Sequence, residues 1–301
     1  MDNSTVILTD NLVKSYGRVK ALRGVNLEVR AGEIFGFLGP NGAGKTTTIR
    51  CLLDLIRPGS GTVRVLGLDP QKSPLEVRRR TGYLPGELHV EDNATVASTL
   101  HYFNSLRANK ADWSYVRNLA DHINLDLRTQ IKNLSKGNKQ KVGIIQAMMH
   151  RPELLLLDEP TFGLDPLVQQ EVLKLVTEAC AEGATVFFSS HILSEVQEIA
   201  DRVGIIRSGV VVEVAETETL LNRTLRRVHI RFKHAVEVHK LVDIPGVTIL
   251  TQADGQNLTL QVEGEMDALI KALAAFPVID FETDHPSLEE IFLAFYKEER
   301  Q

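Results

Sequence analysis

The chain has 301 residues, of which 43% are hydrophobic and 24% are charged, and its formal net charge is −5. This length allows one large domain and one small domain, and the composition is that of an ordinary globular protein. The acidic balance gives no electrostatic reason to expect a protein that binds nucleic acid.

The sequence also lacks the patterns of a secreted or membrane-spanning chain. The first residues have neither the basic region nor the apolar core of a signal peptide, and no apolar stretch approaches the roughly 20 residues that span a bilayer. If the protein acts in transport, we expect another chain to supply the path across the membrane.

Cys51 and Cys180 lack the partners of a disulfide framework or a zinc site, so we expect buried thiols in a reducing compartment. We interpret the basic run 78–80 as a solvated helix face rather than a phosphate-binding patch.

The first thirty residues predict antiparallel strands on either side of a turn at residues 16–17. Val25, Leu27 and Val29 show the alternation of a half-buried strand. The apolar run 34–38 predicts a buried strand that leads into a glycine-rich loop.

Helices alternate with further apolar strands along the middle of the chain. Apolar residues at helical spacing continue from 49 to 56, and the sequence at 57–59, Arg-Pro-Gly, predicts the end of that helix. Runs at 154–157 and 185–188 predict buried strands, and the pattern between 168 and 180 is helical. This rhythm indicates a parallel sheet with helices on its faces.

Two further segments complete the predicted large domain. Residues 90–133 are polar and mostly helical in pattern, which indicates a helical insertion. The runs 203–206 and 210–214, joined across Ser208 and Gly209, predict a hairpin that closes the domain.

A polar segment at 216–227, which we interpret as a linker, leads to a small α+β pattern. The predicted order is strand 228–232, helix 235–242, strand 247–252, strand 257–262, helix 265–275 and strand 278–283. This order is typical of a ferredoxin-like fold, with a hairpin turn at 253–256. A last helix is predicted after Pro286, where Ser287 and Glu290 are spaced as a capping box.

The strongest chemical signal is a glycine-rich loop after the strand at 34–38. The segment Gly39-Pro40-Asn41-Gly42-Ala43-Gly44-Lys45-Thr46 matches the phosphate-binding motif G-x-x-x-x-G-K-[ST] in full. In such a loop the backbone N–H groups face phosphate oxygens, and the following helix adds the positive end of its dipole. We expect Lys45 to reach the β- and γ-phosphates, Thr46 to bind Mg²⁺, and Thr47 to belong to the nucleotide-binding segment. The alternative is an ordinary glycine-rich turn, and the flanking strand and helix argue against it.

A second candidate element is the pair Asp158 and Glu159, directly after the strand at 154–157. Asp158 is placed to organise magnesium through water, and Glu159 is placed to polarise the attacking water. By itself, an apolar run that ends in two acidic residues is more often structural. Its position after the phosphate loop, and its continuation into Pro160 and Thr161, favour the catalytic interpretation.

This order of motifs resembles the nucleotide-binding subunit of the ATP-binding-cassette (ABC) transporter family, over about residues 5–220. The resemblance places Tyr16 where the family has an aromatic residue that stacks on adenine. It places Ser135 and Gly137 in the signature loop, which faces the γ-phosphate held by the other subunit. It places Asp165 in the D-loop, which contacts the partner, and His191 at the switch histidine that contacts the γ-phosphate.

Each of these residues also has an ordinary alternative role. Tyr16 alone would more often be a surface aromatic, Ser135 a helix N-cap and His191 an unremarkable histidine. Their occurrence in the order of the family favours the functional interpretation.

Two departures from the family pattern stand out. Lys136 and Asn138 occupy positions where the family usually has a glycine and a glutamine, and Lys136 adds positive charge near bound phosphate. Gly86 replaces the glutamine of the Q-loop, which in the family helps to bind Mg²⁺ and reports the nucleotide state to the membrane subunit. Glu87, one residue later, is a candidate oxygen ligand for the metal.

The resemblance implies an α/β fold: a P-loop NTPase cassette, with a mixed core sheet plus antiparallel β and helical subdomains, followed by a small ferredoxin-like domain. We expect an ATPase domain at 1–222 and an accessory domain at 223–301. The implied activity is ATP hydrolysis, with ATP and Mg²⁺ bound. The implied assembly is a dimer of this chain on separate transmembrane permease subunits, at the cytoplasmic face of the cell membrane, without nucleic acid.

The segment 286–292 resembles the tail of drug- and antibiotic-exporter ATPases, which implies export. One alternative is a soluble ABC ATPase that acts on DNA or ribosomes, but the sequence has no long coiled-coil insertion or tandem cassette. A small-molecule kinase would share the phosphate loop, and it is disfavoured by the signature loop and His191.

Overall fold

The computed structural model describes residues 5–88, 90–107, 111–222, 226–236, 244–262 and 266–284. Its contacts divide the chain into two units, Met1–Ala215 and Glu216–Gln301. The boundary expected from the sequence, between residues 222 and 223, lies slightly later in the chain.

The first unit alternates strands and helices. In chain order it contains β1 (Thr5–Tyr16), β2 (Val19–Arg30), β3 (Ile34–Leu38), α1 (Lys45–Leu52), β4 (Ser60–Val65), α2 (Pro74–Arg80), β5 (Thr81–Leu84), α3 (Val96–Leu106), α4 (Trp113–His122), a 3₁₀ turn (Ile131–Asn133), α5 (Lys136–Met148), β6 (Leu154–Asp158), α6 (Pro166–Ala181), β7 (Thr185–Ser190), α7 (Leu193–Ile199), β8 (Arg202–Arg207) and β9 (Val210–Glu216).

The core sheet has six strands in the order β5-β6-β7-β3-β8-β9. The pairs β5–β6, β6–β7, β7–β3 and β3–β8 are parallel. Strands β3, β6 and β7 are buried throughout, as their continuous apolar sequences predict for a sheet covered on both faces. Because parallel strands end at the same edge, the loops after these three strands meet there.

A separate antiparallel sheet has the order β2-β1-β4. Val25, Leu27 and Val29 of β2 point into a buried core, which confirms the predicted alternation. The helical insertion is also confirmed: α3 begins with a capping box between Thr95 and Ser98.

Helix α1 ends at Leu52, earlier than the sequence predicts, because Asp54 takes a left-handed conformation with φ +49°. The released carbonyl groups are bound from outside the helix. Arg78 donates to the carbonyl oxygens of Leu53 and Asp54, both at 2.9 Å. The prediction of a uniformly solvated basic face at 78–80 is therefore wrong for Arg78, which caps the C-terminal end of another helix.

The cysteines differ from each other. Cys51 is buried in α1, as predicted, and burial raises the pKa of its thiol to about 11. Cys180 in α6 is only half-buried, so the prediction of a buried thiol is wrong there.

The second unit contains α8 (Thr217–Asn222), β10 (Arg226–Phe232), β11 (Val247–Ala253), β12 (Asn257–Val262), α9 (Asp267–Leu273) and β13 (Val278–Asp284). Its sheet order, β11-β12-β10-β13, is that of a ferredoxin-like fold. The linker interpretation is wrong for residues 216–222, because Leu220 is buried within a helical turn instead of being solvated.

Two predicted helices of this unit are not covered by the structure. Of the helix at 235–242 only residues 235–236 are described, and they are not helical; the helix after Pro286 lies wholly outside the described residues. In the part of the chain that is described, no helix is long and apolar enough to cross a membrane.

Candidate functional site

The phosphate-binding loop connects β3 to α1. Lys45, at the first position of α1, is buried, and its Nζ donates to the carbonyl oxygens of Gly39 at 2.5 Å and Pro40 at 3.4 Å. Gly44 has φ +117°, and a Cβ atom there would lie 2.8 Å from Leu22 Cδ2. Only glycine fits this position, so the loop sequence is set by the backbone shape that it must take.

The rest of the loop remains accessible. Thr46 and Thr47 are half-buried in the first turn of α1, while Asn41 and Gly42 are exposed. The N–H groups at the start of α1 have no partner within the helix, and they carry the positive end of its dipole. This arrangement suits a bound anion.

Asp158 lies at the end of β6 and is 1% exposed. The Ser189 hydroxyl donates to its Oδ1 at 2.6 Å, whereas Oδ2 is buried with no hydrogen-bond partner among the described residues. A Cβ atom on Gly86 would lie 3.4 Å from Oδ2. A buried carboxylate oxygen without a donor is costly unless a further group binds it. Carboxylate and hydroxyl oxygens are suitable Mg²⁺ ligands, so Asp158 and Thr46 fit the predicted metal.

Glu159 brings the three predicted catalytic side chains together. Its Oε1 lies 3.1 Å from Lys45 Nζ, and its Oε2 lies 2.6 Å from His191 Nδ1. The backbone of Glu159 has a left-handed conformation, with φ +53°, which costs roughly 1–3 kcal/mol of stability for a residue other than glycine. Its N–H donates to the Ser189 carbonyl at 3.1 Å, and its own carbonyl accepts from Gln140 Nε2 at 3.0 Å. These two bonds hold the strained residue in place.

The remaining predicted residues lie on loops and helix ends. Tyr16 is exposed at the end of β1, with Lys14 Nζ 5.4 Å from its ring centroid. The hydroxyl of Ser135 accepts from Asn138 N at 3.2 Å, so the alternative role as an N-cap is also real. Asp165 caps α6 in the same way, through Val168 N at 3.1 Å.

The signature and D-loop segments are in contact. A Cβ atom on Gly137 would lie 2.6 Å from the carbonyl oxygen of Gly163, so glycine permits this close approach. Lys136 Nζ lies 4.5 Å from the centroid of the Phe162 ring, which in turn makes an edge contact with His191 at 6.4 Å.

Neither Thr46 nor Glu87 makes a described hydrogen bond or ion pair with Asp158, so all three remain predicted Mg²⁺ ligands. Thr46 is half-buried in α1, and Glu87 is exposed.

Sequence analysis missed several residues that build the site: Gln140, Ser189, Ser190, Phe162 and Glu195. Each is a single polar or aromatic residue with no spacing pattern around it. Phe162 alone had a signal, since it lies between the acidic pair and the D-loop.

Two protein-family models match this chain. The model of a family described as "ABC transporter" matches residues 22–162. A second model, "ATP-binding protein DrrA1-3-like, C-terminal domain", matches residues 222–296.

Alignments with two curated relatives cover most of this chain. The bacitracin transport ATP-binding protein BcrA of Bacillus licheniformis is 41% identical over 227 residues, which is 73% of this chain and 72% of the relative. The daunorubicin/doxorubicin resistance ATP-binding protein DrrA of Streptomyces peucetius is 34% identical over 304 residues, 96% of this chain and 91% of the relative.

The first unit also has close structural counterparts. The solved structure of a dimeric ATP-binding cassette in a post-hydrolysis state, bound to ADP and Pi, superposes with a TM-score of 0.64 and 22% identity. The superposition covers 70% of this chain and 98% of that one, which shows the fold.

Proposed function

The chain belongs to the ABC transporter family as an ATP-binding subunit that hydrolyses ATP, and on that premise we propose that two copies drive export through separate membrane subunits. The observation that carries this proposal is the contact of Glu159 with both Lys45, at 3.1 Å, and His191, at 2.6 Å. A phosphate-binding cation, a candidate base and a switch residue thus meet at the edge where β3, β6 and β7 end. We propose that residues 1–222 form the ATPase domain and residues 223–301 an accessory domain.

Within one site, each residue has a distinct proposed role. Lys45 and the free backbone N–H groups of the loop at 39–47, in which Pro40 has none, bind the β- and γ-phosphates, and Tyr16 stacks on adenine. Asp158 and Thr46 hold Mg²⁺, with Glu87 as a further candidate ligand. When bound, Mg²⁺ neutralises charge on the phosphate oxygens.

Hydrolysis then needs a base and an in-line water. Glu159 accepts a proton from the attacking water, and ATP and water become ADP and phosphate. The contact at 2.6 Å keeps His191 beside Glu159, where its ring can reach the γ-phosphate. Positioning and charge stabilisation supply most of the rate acceleration in reactions of this class.

Ser135 and Gly137, at the N-terminus of α5, are proposed to serve the ATP bound by a second copy of the chain. Helix α5 has 13 residues, so its first turn offers free N–H groups and a positive dipole end to a phosphate. Asp165 is proposed to contact the partner copy. The dimeric state of the structural relative supports this arrangement.

The membrane partner is proposed to be a pair of permease subunits at the cytoplasmic face of the cell membrane. The helical insertion and the loop at Gly86 are the surfaces on which the partner would respond to ATP. Relatives named for bacitracin transport and daunorubicin resistance support export of a drug or antibiotic. The net charge of −5 does not favour the alternative action on DNA or ribosomes.

Magnesium-dependent ATP turnover tests the assignment of the site. Lys45→Ala should lower turnover by at least about 100-fold, because loss of a buried phosphate-binding charge costs several kcal/mol of transition-state stabilisation. The control is Lys72→Ala, since Lys72 is exposed on a surface loop. In the same assay, Glu87→Ala should raise the Mg²⁺ concentration required for half-maximal turnover. Wild-type turnover by Lys45→Ala would refute the site, and an unchanged Mg²⁺ requirement would refute Glu87 as a ligand.

A further inference from the structure

Glu195, in the first turn of α7, is a buried carboxyl group that the proposed reaction does not use. It is only 5% exposed, and the Ser190 hydroxyl donates to its Oε2 at 2.8 Å. Burial raises the pKa of Glu195, while the side chains of Thr161 and Ser190 oppose that rise. A buried carboxyl group costs stability unless its contacts compensate, so its location is informative.

The hydroxyl partner of Glu195 is the last residue of β7, directly before the proposed switch histidine. Ser190 immediately precedes His191, and its Oγ also accepts the N–H of Ile192 at 2.9 Å, which closes a tight turn around the histidine. Glu195 therefore holds the residue next to His191 through Oε2, while its Oε1 is buried with no hydrogen-bond partner among the described residues.

The contact that the loops after β6 and β7 must hold is short. His191 Nδ1 lies 2.6 Å from Glu159 Oε2, and both side chains are partly open to solvent. Neither loop has regular secondary structure at this point, so fixed backbone partners must set the distance. The bond of Ser190 to Glu195 provides that support beside His191.

We propose that Glu195 is a positioning residue for ATP hydrolysis, which fixes His191 relative to Glu159 through Ser190. The proposal rests on the catalytic roles proposed for those two residues. A small displacement of a reacting group can cost about 100-fold in rate while leaving substrate binding intact. Glu195 should therefore affect kcat and not KM.

The test compares Glu195→Ala and Glu195→Gln in the full chain by steady-state ATP turnover. Glu195→Ala should lower kcat by at least about tenfold with KM within about threefold, the pattern of a lost transition-state interaction. Glu195→Gln should retain most of the kcat, because its amide oxygen can still accept from Ser190. The matched control is Glu198→Ala, since Glu198 is exposed on the same helix. Wild-type kcat for Glu195→Ala, or no rescue by glutamine, would overturn the proposal.

A double-mutant cycle separates positioning from a general loss of structure. Adding Glu195→Ala to His191→Ala should cause little further loss in single-turnover rate, because the two residues act as one unit. A full additional loss would overturn the proposal. If Glu195→Ala does not fold, Ser190→Ala removes the same link and should show the same kcat loss and the same lack of additivity. Wild-type turnover by His191→Ala itself would instead refute the role proposed for that histidine.

Discussion

At the scale of single residues, the contact of Glu159 with Lys45 links catalysis to nucleotide binding. The Oε1 and Nζ atoms lie 3.1 Å apart, and the lysine side chain is 6% exposed. The same ammonium group is proposed to bind the phosphates, so the carboxylate and an incoming phosphate compete for one cation. In the proposed mechanism, Glu159 therefore has to release Lys45 before it accepts a proton from water.

This competition predicts opposite effects of Glu159→Gln on two measurements. Turnover should fall by at least about 100-fold, because an amide cannot accept the proton from water. The affinity for Mg·ATP should be unchanged or higher, because a neutral amide holds Lys45 less tightly than a carboxylate does. Single-turnover hydrolysis and equilibrium nucleotide binding check the two effects. Glu178→Gln, at an exposed position on α6, is the control; weaker ATP binding by Glu159→Gln would contradict the competition.

The sequence predicts residues that lie inside a spaced motif, such as Lys45, Asp158 and Glu159. It does not predict Ser189, Gln140 or Glu195, because their roles depend on which strands and helices become neighbours. Ser189 reaches Asp158 only since β7 pairs with β6 in the core sheet. Glu87 remains a prediction from its place beside Gly86, because its exposed side chain makes no described contact that fixes its position.

At the scale of elements, helix ends depend on tertiary contacts that local patterns do not contain. The apolar residues spaced along 49–56 do face the core, where Leu53 is buried. The helix nevertheless stops at Leu52, where Arg78 supplies donors for two carbonyl groups. The buried strands of the core sheet were predicted more accurately, because a continuous apolar run has few alternatives when both faces are covered.

The connection after α5 carries a half-buried histidine, His150, whose ring nitrogens are buried and whose titration affects stability. Burial, and then the positive charge of Arg107, lower the pKa of His150 to about 4, while the Thr81 carbonyl opposes the shift. The groups that line the adjacent cavity of about 320 Å³ are Glu76, Arg79, Arg80, Arg107, Arg151 and Glu153. Neutral His150 is therefore the form that the folded state favours.

This shift predicts a loss of stability in acid. The pKa of His150 is lower in the folded state than in the unfolded state, so the unfolded state binds more protons between pH 6.5 and 4. The contribution of neutral His150 to the free energy of unfolding is nearly fully present above about pH 6.5. It decreases as the pH falls, by about 2 kcal/mol at pH 5. Denaturant unfolding of His150→Gln should show a smaller decrease between pH 7 and 5. His122→Gln, on the exposed side of α4, should unfold with the pH dependence of the parent; an unchanged slope for His150→Gln would contradict the prediction.

At the scale of the whole molecule, the chain pairs one ATPase unit with one small ferredoxin-like unit. The strand order of the small unit follows from a sequence pattern of short strands and helices, which is why it was predicted. The helix at 217–222 was not predicted, because six residues rich in Thr and Glu resemble a solvated linker. Only the burial of Leu220 in the folded unit distinguishes the helix from a linker. Because the chain has one cassette, the proposed function requires two copies to meet, so that Ser135 of one completes the site around Lys45 of the other.

The mass of the Glu159→Gln protein in solution tests whether two copies of the chain share the ATP sites. Light scattering after size-exclusion chromatography should show one chain without nucleotide and two chains with saturating Mg·ATP, because slow hydrolysis keeps the γ-phosphate contacts in place. The added variant Ser135→Arg, whose bulk should block the partner's phosphate, should remain a single chain under the same conditions. If Glu159→Gln binds Mg·ATP to saturation and its mass stays that of one chain, the account of a shared two-copy ATPase is wrong.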